Sequence, residues 1–539
     1  MADDHAGMID AHGRRLREGP EPFWSRAAAA HGLAGNLTYP GFLARTARRL
    51  PDKTAMVFGE RSLSYRQLFD AIRGATVRLR DDHGIGPGAR VALLLENSDT
   101  YNIWYFAVMA LGAVAVPLNV KLVPAEIAFM LQDAGCVLVL SEARFADTLR
   151  GIAPGPSGAP ALRLLDGGLP SASPGVFDTG AVPIDADAAI YYTSGTTGRP
   201  KGVVHTHRSL IAGTLQGPPA WEYDSERVVN LAVTPQFHIA NHTVFLPTLA
   251  VGGTLVIDTF GTERTFELIQ RHRVTQLFAV PSILLLLTQF EDRDRFDLGS
   301  VTRVAFGAAP MPVHKLEAVQ ALFPNAALVH GMGQTECSGT TVTLPSPQAF
   351  EKAGSVGINI AGTEIRIVDE ADAELPAGAV GELVTRGPNV MSRYLNRPEA
   401  SAEALRGGWL HTGDLGYRDA QGYLYLVDRK KDMIIRGGEN IYSSEVEQAL
   451  YGMPGIALAA VVGQPSELFG EEVFAFLVAR EGAPRLTLDE VQAHCAERLA
   501  KYKRPTAIRY LDALPQTATG KIQKGELKAM LAPPAARQG

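Results

Sequence analysis

The stretch YYTSGTTGRPKGVVHTH, from Tyr191 to His207, begins as a strand and then changes character. Residues 189–192 have the pattern of a strand end, and glycine, serine and threonine fill the next six positions. Glycine permits the positive φ angles that let successive backbone N–H groups point into one concavity, which binds anions. Lys201 adds a fixed positive charge. The expected phosphate-binding loop consists of Thr193, Ser194, Gly195, Thr196, Thr197 and Gly198.

This loop does not follow the P-loop pattern of ordinary kinases and ATPases. That pattern, GxxxxGK[ST], separates its glycines by four residues, whereas Gly195 and Gly198 are three positions apart and Gly202 follows the lysine. A stretch rich in glycine and hydroxyl groups is also typical of a solvated turn. The loop alone leaves both interpretations open.

Composition places the chain among ordinary globular proteins. Of 539 residues, 46% are hydrophobic and 20% are charged, and this length allows about two to four folding units. The net charge of −6 argues against nucleic acid as the main partner. Three widely spaced cysteines predict neither a disulfide framework nor a zinc site.

Hydropathy predicts no stable membrane insertion. The first 24 residues lack the apolar core of a signal peptide. The longest apolar run, residues 103–118, is interrupted by Gly112 and Pro117, so a buried helix that leads into a strand is expected there. We therefore expect a cytoplasmic location.

The first two thirds of the chain alternate between helix and strand patterns. Residues 64–79, 100–112 and 124–134 have helical patterns, and residues 90–94, 113–117 and 137–141 between them have strand patterns. The alternation recurs after the opening stretch, with strands at 253–257, 276–280 and 303–307 and a helix at 263–272. Such β-α-β alternation predicts an α/β fold with mainly parallel sheets covered by helices.

Two changes of pattern follow further along the chain. From about residue 354, short strands are separated by glycine and proline turns, which predicts a small β-barrel or sandwich. From about residue 428, strand patterns at 457–462 and 473–478 accompany two capping-box patterns, Ser444-x-x-Glu447 and Thr487-x-x-Glu490. We expect a small α+β domain at this end.

Four more motifs follow the opening stretch in a fixed order. They are GMGQTE at 331–336, GWLHTGDLG at 408–416, DRKKDMIIRGGENIYSSEVE at 428–447 and LPQTATGK at 514–521. Together the five motifs resemble those of the adenylate-forming superfamily, which includes acyl-CoA synthetases, amino-acid adenylation domains and luciferases. The resemblance extends from about residue 50 to residue 531 and is strongest for the acid–CoA ligase type.

The resemblance implies a particular division of the chain. A large N-terminal AMP-binding domain is expected over residues 1–427, with two doubly wound, mainly parallel sheets at about 30–353 and a β-barrel-like unit at 354–427. A hinge at 428–431 would lead to a mobile α+β C-terminal domain at 432–539. The implied small molecules are ATP, Mg²⁺, CoA and a carboxylic acid.

The resemblance also assigns roles to single residues. Lys521 would bridge the carboxylate and the α-phosphate, and Glu336 would hold Mg²⁺ on the triphosphate, a task suited to a hard oxygen ligand. Thr335 would contact the α-phosphate. Asp414 and Arg429 would bind the ribose, and Gly331 and Met332 would lie beside the nucleotide.

The second half-reaction is assigned to the small domain. In members of the family, this domain rotates about a hinge residue so that a thiol can attack the acyl-adenylate. The corresponding residue in this sequence is Lys431. Gly437 and Gly438 would let the backbone run close to the pantetheine arm of CoA.

Three positions depart from the family's common pattern. Met332 replaces an aromatic residue that stacks on adenine, although methionine can still pack on the ring face. Gln516 replaces an arginine of the last motif, which is expected to loosen the placement of Lys521. Ile435 stands where plant-type 4-coumarate–CoA ligases have a lysine, so that role is not carried over.

The acyl site is expected beside the segment TPQFHIANHT, residues 234–243. This segment lacks the aspartate with which relatives bind an α-amino group, which favours a non-amino acid. His238 resembles the histidine at the acyl site of CoA ligases, although a buried structural histidine is the alternative. Asn241 and His242 either face the pocket or cap a helix. The expected pocket residues are Ala240, Asn241, Gly307 and Gly333, and the small Ala240 predicts a roomy pocket for medium-chain fatty or aryl acids.

We therefore expect an ATP-dependent acid–CoA ligase. One alternative is an acyl-AMP ligase that loads a separate carrier protein, because the chain has no carrier domain of its own. Another is a binding protein without catalysis, but that hypothesis predicts the loss of Lys521 or Glu336, and both are present. A homodimer is left open.

Overall fold

The computed structural model describes residues 8–9, 15–16, 37–150, 152, 160–173, 182–193, 200–223, 225–307, 311, 313–516 and 522–531. Within these residues the chain forms two large mixed sheets, a smaller antiparallel sheet and a C-terminal sheet with its own helices. A short antiparallel pair, Met8–Ile9 with Arg15–Leu16, precedes them. The predicted α/β class is confirmed.

The first large sheet has a parallel centre and an antiparallel edge. Its predicted buried strand forms at Arg90–Leu94, as expected. Its antiparallel part contains the phosphate-loop hairpin, in which the strand Lys201–Thr206 runs antiparallel to Asp187–Thr193, and the strand Arg393–Tyr394 forms the edge. The spatial order is Arg393–Tyr394, Lys201–Thr206, Asp187–Thr193, Val114–Pro117, Arg90–Leu94, Leu138–Glu142 and Ala161–Leu165.

The second large sheet is parallel over six neighbouring strands and antiparallel at both edges. Its parallel strands end at one edge, which is where open α/β sheets bind ligands. The spatial order is Ile358–Asn359, Gly339–Leu344, Ala327–Gln334, Arg303–Gly307, Gln276–Ala279, Val229–Ala232, Thr254–Ile257, Thr54–Phe58 and Arg61–Ser64.

Helices cover both large sheets, and local sequence signals set their ends. Ser64 begins one helix as a capping box with Gln67, and Gly84 ends it at a φ of 62°. In this part of the chain the α-helices are Tyr39–Arg49, Tyr65–His83, Asp99–Ala110, Pro124–Ala134, Ala146–Arg150, His207–Ala220, Pro247–Val251, Thr262–His272, Pro281–Gln289, Val313–Leu322 and Pro398–Ala404. A π-helical turn covers Asn241–Phe245.

The main apolar core lies around the helix Asp99–Ala110, which is buried along nearly its whole length. This helix and the strand Val114–Pro117 make up the long apolar run, as the sequence predicts. Among the described residues, no helix has both the length and the apolar character needed to cross a membrane.

The segment for which the sequence predicts a β-barrel-like unit forms a four-stranded antiparallel sheet. Its strands are Glu364–Val368, Gly381–Arg386, Leu410–Arg418 and Leu424–Arg429. The last two strands pair so that Asp414 lies opposite Arg429.

The C-terminal unit has a sheet of five strands, with the helices Ser443–Tyr451, Leu488–Ala496 and Lys524–Ala529 packed beside it. The strands are Glu439–Ile441, Ile434–Arg436, Gly470–Ala479, Ile456–Ser466 and Ala507–Tyr510. The capping box of Thr487 with Glu490 is confirmed.

The other capping-box prediction, Ser444-x-x-Glu447, is wrong. Tyr442 is the N-cap residue of the helix Ser443–Tyr451 and makes no side-chain cap. The Ser444 hydroxyl instead donates to the carbonyl of Val427, and Glu447 accepts a hydrogen bond from the Val461 N–H at 2.8 Å. Tertiary contacts thus use both side chains that the pattern assigned to the cap.

Candidate active site

The phosphate loop joins two paired strands of the first sheet. Thr193 lies opposite Lys201, so the loop begins and ends at one point of the sheet edge. The structure does not describe the five other predicted loop residues, so their role in phosphate binding stays a prediction. They are Ser194, Gly195, Thr196, Thr197 and Gly198.

Tyr394 connects the loop lysine with the predicted magnesium ligand. The Lys201 Nζ lies 5.2 Å from the centre of the Tyr394 ring. The Tyr394 hydroxyl donates a hydrogen bond of 2.9 Å to Oε1 of Glu336. The strand Arg393–Tyr394 is paired with Lys201–Thr206, which fixes the ring between the two groups. The structure therefore brings a cation and a carboxylate from distant motifs to one place.

A bound cation would stabilise the charged form of the Glu336 carboxyl. Partial burial raises the pKa of its carboxyl, while the Tyr394 hydrogen bond and the positive charge of Arg429 oppose that rise. Among the described residues, no group of three or more side chains could form a complete metal site by itself. A single carboxylate with oxygens from a triphosphate is how proteins commonly hold Mg²⁺, so the residues present fit that ion.

A buried histidine holds the turn that carries Thr335 and Glu336. His205 Nε2 donates to the Thr335 carbonyl at 2.8 Å. Burial lowers the pKa of His205 to about 4, so the ring is neutral near pH 7. The Met391 N–H also donates to the Glu336 carbonyl at 2.7 Å. The turn is thus attached both to the phosphate-loop strand and to the segment that leads to Tyr394.

The two predicted ribose residues form a cross-strand ion pair. Arg429 Nε lies 3.2 Å from Oδ1 of Asp414, which is only 7% exposed. The Asp414 N–H donates to the Thr412 hydroxyl at 3.1 Å, which fixes the turn around Gly413. The charges of both residues act on the Glu336 carboxyl, so the three side chains belong to one electrostatic neighbourhood.

Gly331 and Met332 lie on the strand that leads into the turn of Glu336, the predicted magnesium ligand. Both residues lie near the carboxyl end of the strand Ala327–Gln334. Gly331 is buried, and the side chain of Met332 is partly buried against the apolar cluster around Val342 and Ile365.

The residues predicted for the hinge and for the thiol step lie at the start of the C-terminal unit. Lys431 is exposed, and its carbonyl accepts a hydrogen bond of 3.5 Å from the Lys528 side chain. Gly437 and Gly438 have φ angles of 60° and 86°, which side-chain-bearing residues rarely adopt. The Gly437 N–H donates to the Phe469 carbonyl at 2.8 Å.

Lys521 lies beyond the described part of the chain, but both flanks of its segment are described. Gln516 and Ile522 form an antiparallel bridge, and the Gln523 N–H donates to the Pro515 carbonyl at 2.9 Å. Three residues after Lys521, the Lys524 ammonium lies 2.7 Å from Glu447 Oε1 and donates to the Ser443 hydroxyl at 2.6 Å. The base of the Lys521 segment is therefore fixed to the helix Ser443–Tyr451.

The predicted acyl residues come from two parts of the fold, the second large sheet and the π-helical turn. Gly307 and Gly331 are neighbours on adjacent strands, so close that a Cβ at Gly307 would overlap the Gly331 carbonyl. Gly333 is similarly close to the Gly339 carbonyl. Ala240 and Asn241 lie at the start of the π-helical turn.

The structure excludes the helix-capping alternative for Asn241 and His242. Asn241 is buried inside the turn, and its side-chain amide donates to Asn102 at 3.5 Å. His242 is fully buried, and its Nε2 donates to the Leu210 carbonyl at 2.8 Å. His238 is partly buried, and its Nδ1 accepts a hydrogen bond of 3.2 Å from the Ala240 N–H, which orients the imidazole.

Sequence reasoning missed Tyr394 and His205. Neither lies in a position whose local pattern predicts a role, although His205 belongs to the opening stretch. Their importance comes from cross-strand pairing and from a contact over 130 positions of sequence, between His205 and Thr335.

Comparison with known proteins identifies the chain. The family model for AMP-binding enzymes matches residues 43–395, and the model for their C-terminal domain matches residues 445–521. A feruloyl-CoA synthase of Amycolatopsis sp is 37% identical over 90% of this chain and 97% of its own length. The long-chain-fatty-acid–CoA ligase FadD13 of Mycobacterium tuberculosis is 35% identical over 83% of this chain and 88% of its own.

A solved structure matches over nearly the same length. The o-succinylbenzoate–CoA synthetase MenE of Bacillus subtilis, in complex with its acyl-adenylate, is 31% identical and covers 90% of this chain and 97% of its own, with a TM-score of 0.81. The same enzyme with ATP and a magnesium ion gives a TM-score of 0.80.

These matches and the site define an acyl-CoA synthetase, an acid–thiol ligase that uses ATP, Mg²⁺ and CoA. The chain belongs to the AMP-binding enzyme family.

Proposed function

We propose that this enzyme activates a non-amino carboxylic acid, either a medium-chain fatty acid or an aryl acid, in two half-reactions. A carboxylate oxygen first attacks the α-phosphorus of ATP, which forms acyl-AMP and releases pyrophosphate. The CoA sulfur then attacks the acyl carbonyl, which forms acyl-CoA and releases AMP. The observation that carries this proposal is the meeting of Lys201, Tyr394 and Glu336 beside the Asp414–Arg429 pair.

The first half-reaction brings two anions together, so the site has to supply positive charge. Lys521 bridges the acid and the α-phosphate, and Thr335 contacts the same phosphate. The loop from Thr193 to Gly198, with Lys201, binds the outer phosphates. Glu336 would hold Mg²⁺, which when bound would supply positive charge to the triphosphate and to the pyrophosphate leaving group. His238, oriented by the Ala240 N–H, borders the acid.

The second half-reaction uses a different face of the small domain. We place the domain boundaries at residues 1–427 and 432–539, with a hinge at 428–431. Rotation about Lys431 withdraws Lys521 and brings Gly437 and Gly438 to the pantetheine arm. Neither glycine has a side chain, and both adopt positive φ angles, so the backbone of this turn is open to a close approach by the pantetheine arm.

The class of acid rests on the residues around the acyl site. The segment 234–243 has no acidic side chain to pair with an ammonium group. The relatives are named for ferulate, o-succinylbenzoate and long-chain fatty acids, which are all non-amino acids. These names support an aryl or fatty acid here.

Pyrophosphate release across a panel of fatty, branched, hydroxy and aryl acids, with and without CoA, tests this proposal. We expect sustained release that depends on CoA for one group of acids. Release that stops after about one equivalent and ignores CoA would contradict it, and would favour an acyl-AMP ligase that loads a separate carrier protein.

A further inference from the structure

On one face of the second sheet, the side chains become smaller towards the carboxyl ends of two neighbouring strands. Ala305 and Val329 face the main core cluster, whereas Val304 and Leu328 face the opposite cluster. Side chains alternate along a strand, so Gly307 and Gly331, each two positions further on, face the main core side as well. The two neighbouring strands therefore carry no side chain at this level of the face, and the Trp221 ring lies against Gly331.

The indole of Trp221 packs directly against Gly331 on this face. Trp221 is 1% exposed. A Cβ added at Gly331 would overlap its benzo ring, with two further ring carbons at 2.8 and 3.1 Å. The absence of a side chain at Gly331 is thus what lets the indole lie against the strand.

Neighbouring groups hold this indole in place. Its Nε1 donates to the Thr243 carbonyl at 3.1 Å. The Phe278 ring meets it edge to face, with 5.6 Å between ring centres. Thr243 is itself confined, because a Cβ at Gly339 would overlap its side chain. The indole cannot move aside for a longer ligand without displacing a buried aromatic ring or a packed helical turn.

We propose that Trp221 forms the closed inner end of the acyl site and sets the size of the acid. The enzyme then favours compact acids, with one aromatic ring or a short or branched chain, over long linear chains. This narrows the roomy pocket that the small Ala240 predicts. The inference rests on the proposed function, because it assumes that the acid lies along Gly307, Gly331 and Gly333.

The test measures kcat/KM for benzoate, 4-hydroxycinnamate, butyrate, octanoate and dodecanoate with ATP, Mg²⁺ and CoA. The wild-type enzyme should discriminate strongly against dodecanoate. Trp221→Ala removes the end wall, so the ratio of dodecanoate to benzoate should rise by about tenfold or more. Trp221→Phe should shift the ratio in the same direction by less, and it keeps the test valid if the alanine variant does not fold.

Trp104→Phe is the matched control. Trp104 is also buried, at 2% exposure, but it packs beside Arg163 rather than against Gly331, so its substitution should leave the ratio unchanged. An unchanged ratio in the folded Trp221 variants would overturn this inference alone. An absence of turnover by the wild-type enzyme on every acid would instead overturn the proposed function, and this inference with it.

Discussion

At the scale of single residues, the Tyr394 hydroxyl orients the Glu336 carboxylate, which we propose as the magnesium ligand. Tyr394→Phe keeps the ring beside Lys201 but removes the 2.9 Å hydrogen bond to Glu336. A hydrogen bond to a charged group is worth about 1.5–3 kcal/mol. We expect pyrophosphate release to fall about tenfold or more, with a higher Mg²⁺ concentration needed for half-maximal activity.

Tyr423→Phe is the control for that change. Lys352 lies 4.8 Å from the Tyr423 ring, so the pair copies the geometry of Lys201 and Tyr394 away from the proposed site. Unchanged Mg²⁺ dependence in Tyr394→Phe, or an equal change in Tyr423→Phe, would remove Tyr394 from the proposed role.

Lys521 is predicted to act in the first half-reaction only. Lys521→Ala should slow pyrophosphate release by about 100-fold or more, because one positive charge at the reacting centre is lost. Thioester formation from supplied acyl-AMP should change far less. Rapid-quench assays of the two half-reactions provide the comparison, with Lys501→Ala, an exposed lysine of the same unit, as control. Equal losses in both steps would contradict this division.

Residues that belong to a recognisable motif, such as Glu336 and Asp414, can be predicted from the sequence. The structure places these two close enough for the charge of Asp414 to act on the Glu336 carboxyl. Tyr394 was beyond prediction because its role depends on the pairing of Val203 with Tyr394, across 191 positions of sequence. Trp221 was missed for a related reason, since only the bare Cα of Gly331 explains its position.

At the scale of elements, an ion pair joins the Lys521 segment to the helix Ser443–Tyr451. The side chains of Lys524 and Glu447 are only 14% and 16% exposed. Ser443 extends the contact to the carboxylate of Asp428, at the proposed hinge. This network is therefore suited to set the position of the segment that carries Lys521.

Glu447→Gln should destabilise the enzyme by about 3 kcal/mol, because it leaves the buried Lys524 charge without its partner. Chemical denaturation measures this change. Adenylate formation should also fall more than thioester formation. Adding Lys524→Met to Glu447→Gln should recover part of the stability.

The surface pair Glu497–Arg498 provides the control, since its side chains are 75% and 46% exposed. Glu497→Gln should cost less than about 1 kcal/mol. A similar small effect of Glu447→Gln, with both half-reactions unchanged, would show that the buried pair does not position the loop.

Gly438 belongs to the element proposed for the thiol step. Gly438→Leu introduces a side chain at a φ angle of 86°, so the turn has to distort. Thioester formation should fall about tenfold or more, while pyrophosphate release persists. Gly482→Leu creates the same backbone strain at 73° in another turn of this unit and should spare both steps. The reverse pattern for Gly438→Leu would exclude this turn from the thiol step.

Element boundaries follow the sequence where propensity and burial agree, as in the strand Arg90–Leu94 and the helix Pro124–Ala134. The Ser444–Glu447 pattern misled because both side chains find tertiary partners instead. A local motif predicts a cap only when no distant group competes for its atoms.

At the scale of the whole molecule, buried histidines make stability depend on pH. Burial lowers the pKa of His205, His207 and His330 to about 4 and that of His242 to about 3. The unfolded chain binds protons at these residues below about pH 6.5, whereas the folded chain does not. Their contribution to stability is present above pH 6.5 and is lost as the pH falls towards 4.

Urea unfolding at pH 7 and pH 5 tests this dependence. We expect a lower midpoint at pH 5, and a smaller difference between the two pH values in His207→Gln. Each unit of pKa shift corresponds to about 1.4 kcal/mol. The raised pKa values of Glu336 and Glu447 act in the opposite direction, so the change in His207→Gln is the sharper readout. The same pH difference in both proteins would contradict the assignment to His207.

The overall class of fold was predictable because β-α-β alternation and the motif order extend along most of the chain. The order of strands within each sheet was not, since pairings such as Thr254–Ile257 with Thr54–Phe58 join segments about 200 residues apart. Hydrophobic patterns specify which side of a strand is buried, but not which strand becomes its neighbour.

The central claim is that one site first makes an acyl-adenylate and then transfers the acyl group to CoA. Its most direct test mixes excess enzyme with ATP, Mg²⁺ and the preferred acid, quenches a sample for mass spectrometry, and then adds CoA. Before CoA is added, the account predicts about one acyl-AMP and one pyrophosphate for each ATP supplied. After CoA is added, it predicts that this acyl-AMP is converted to acyl-CoA and AMP. Formation of ADP and phosphate, or an acyl-AMP that CoA leaves unchanged, would contradict it.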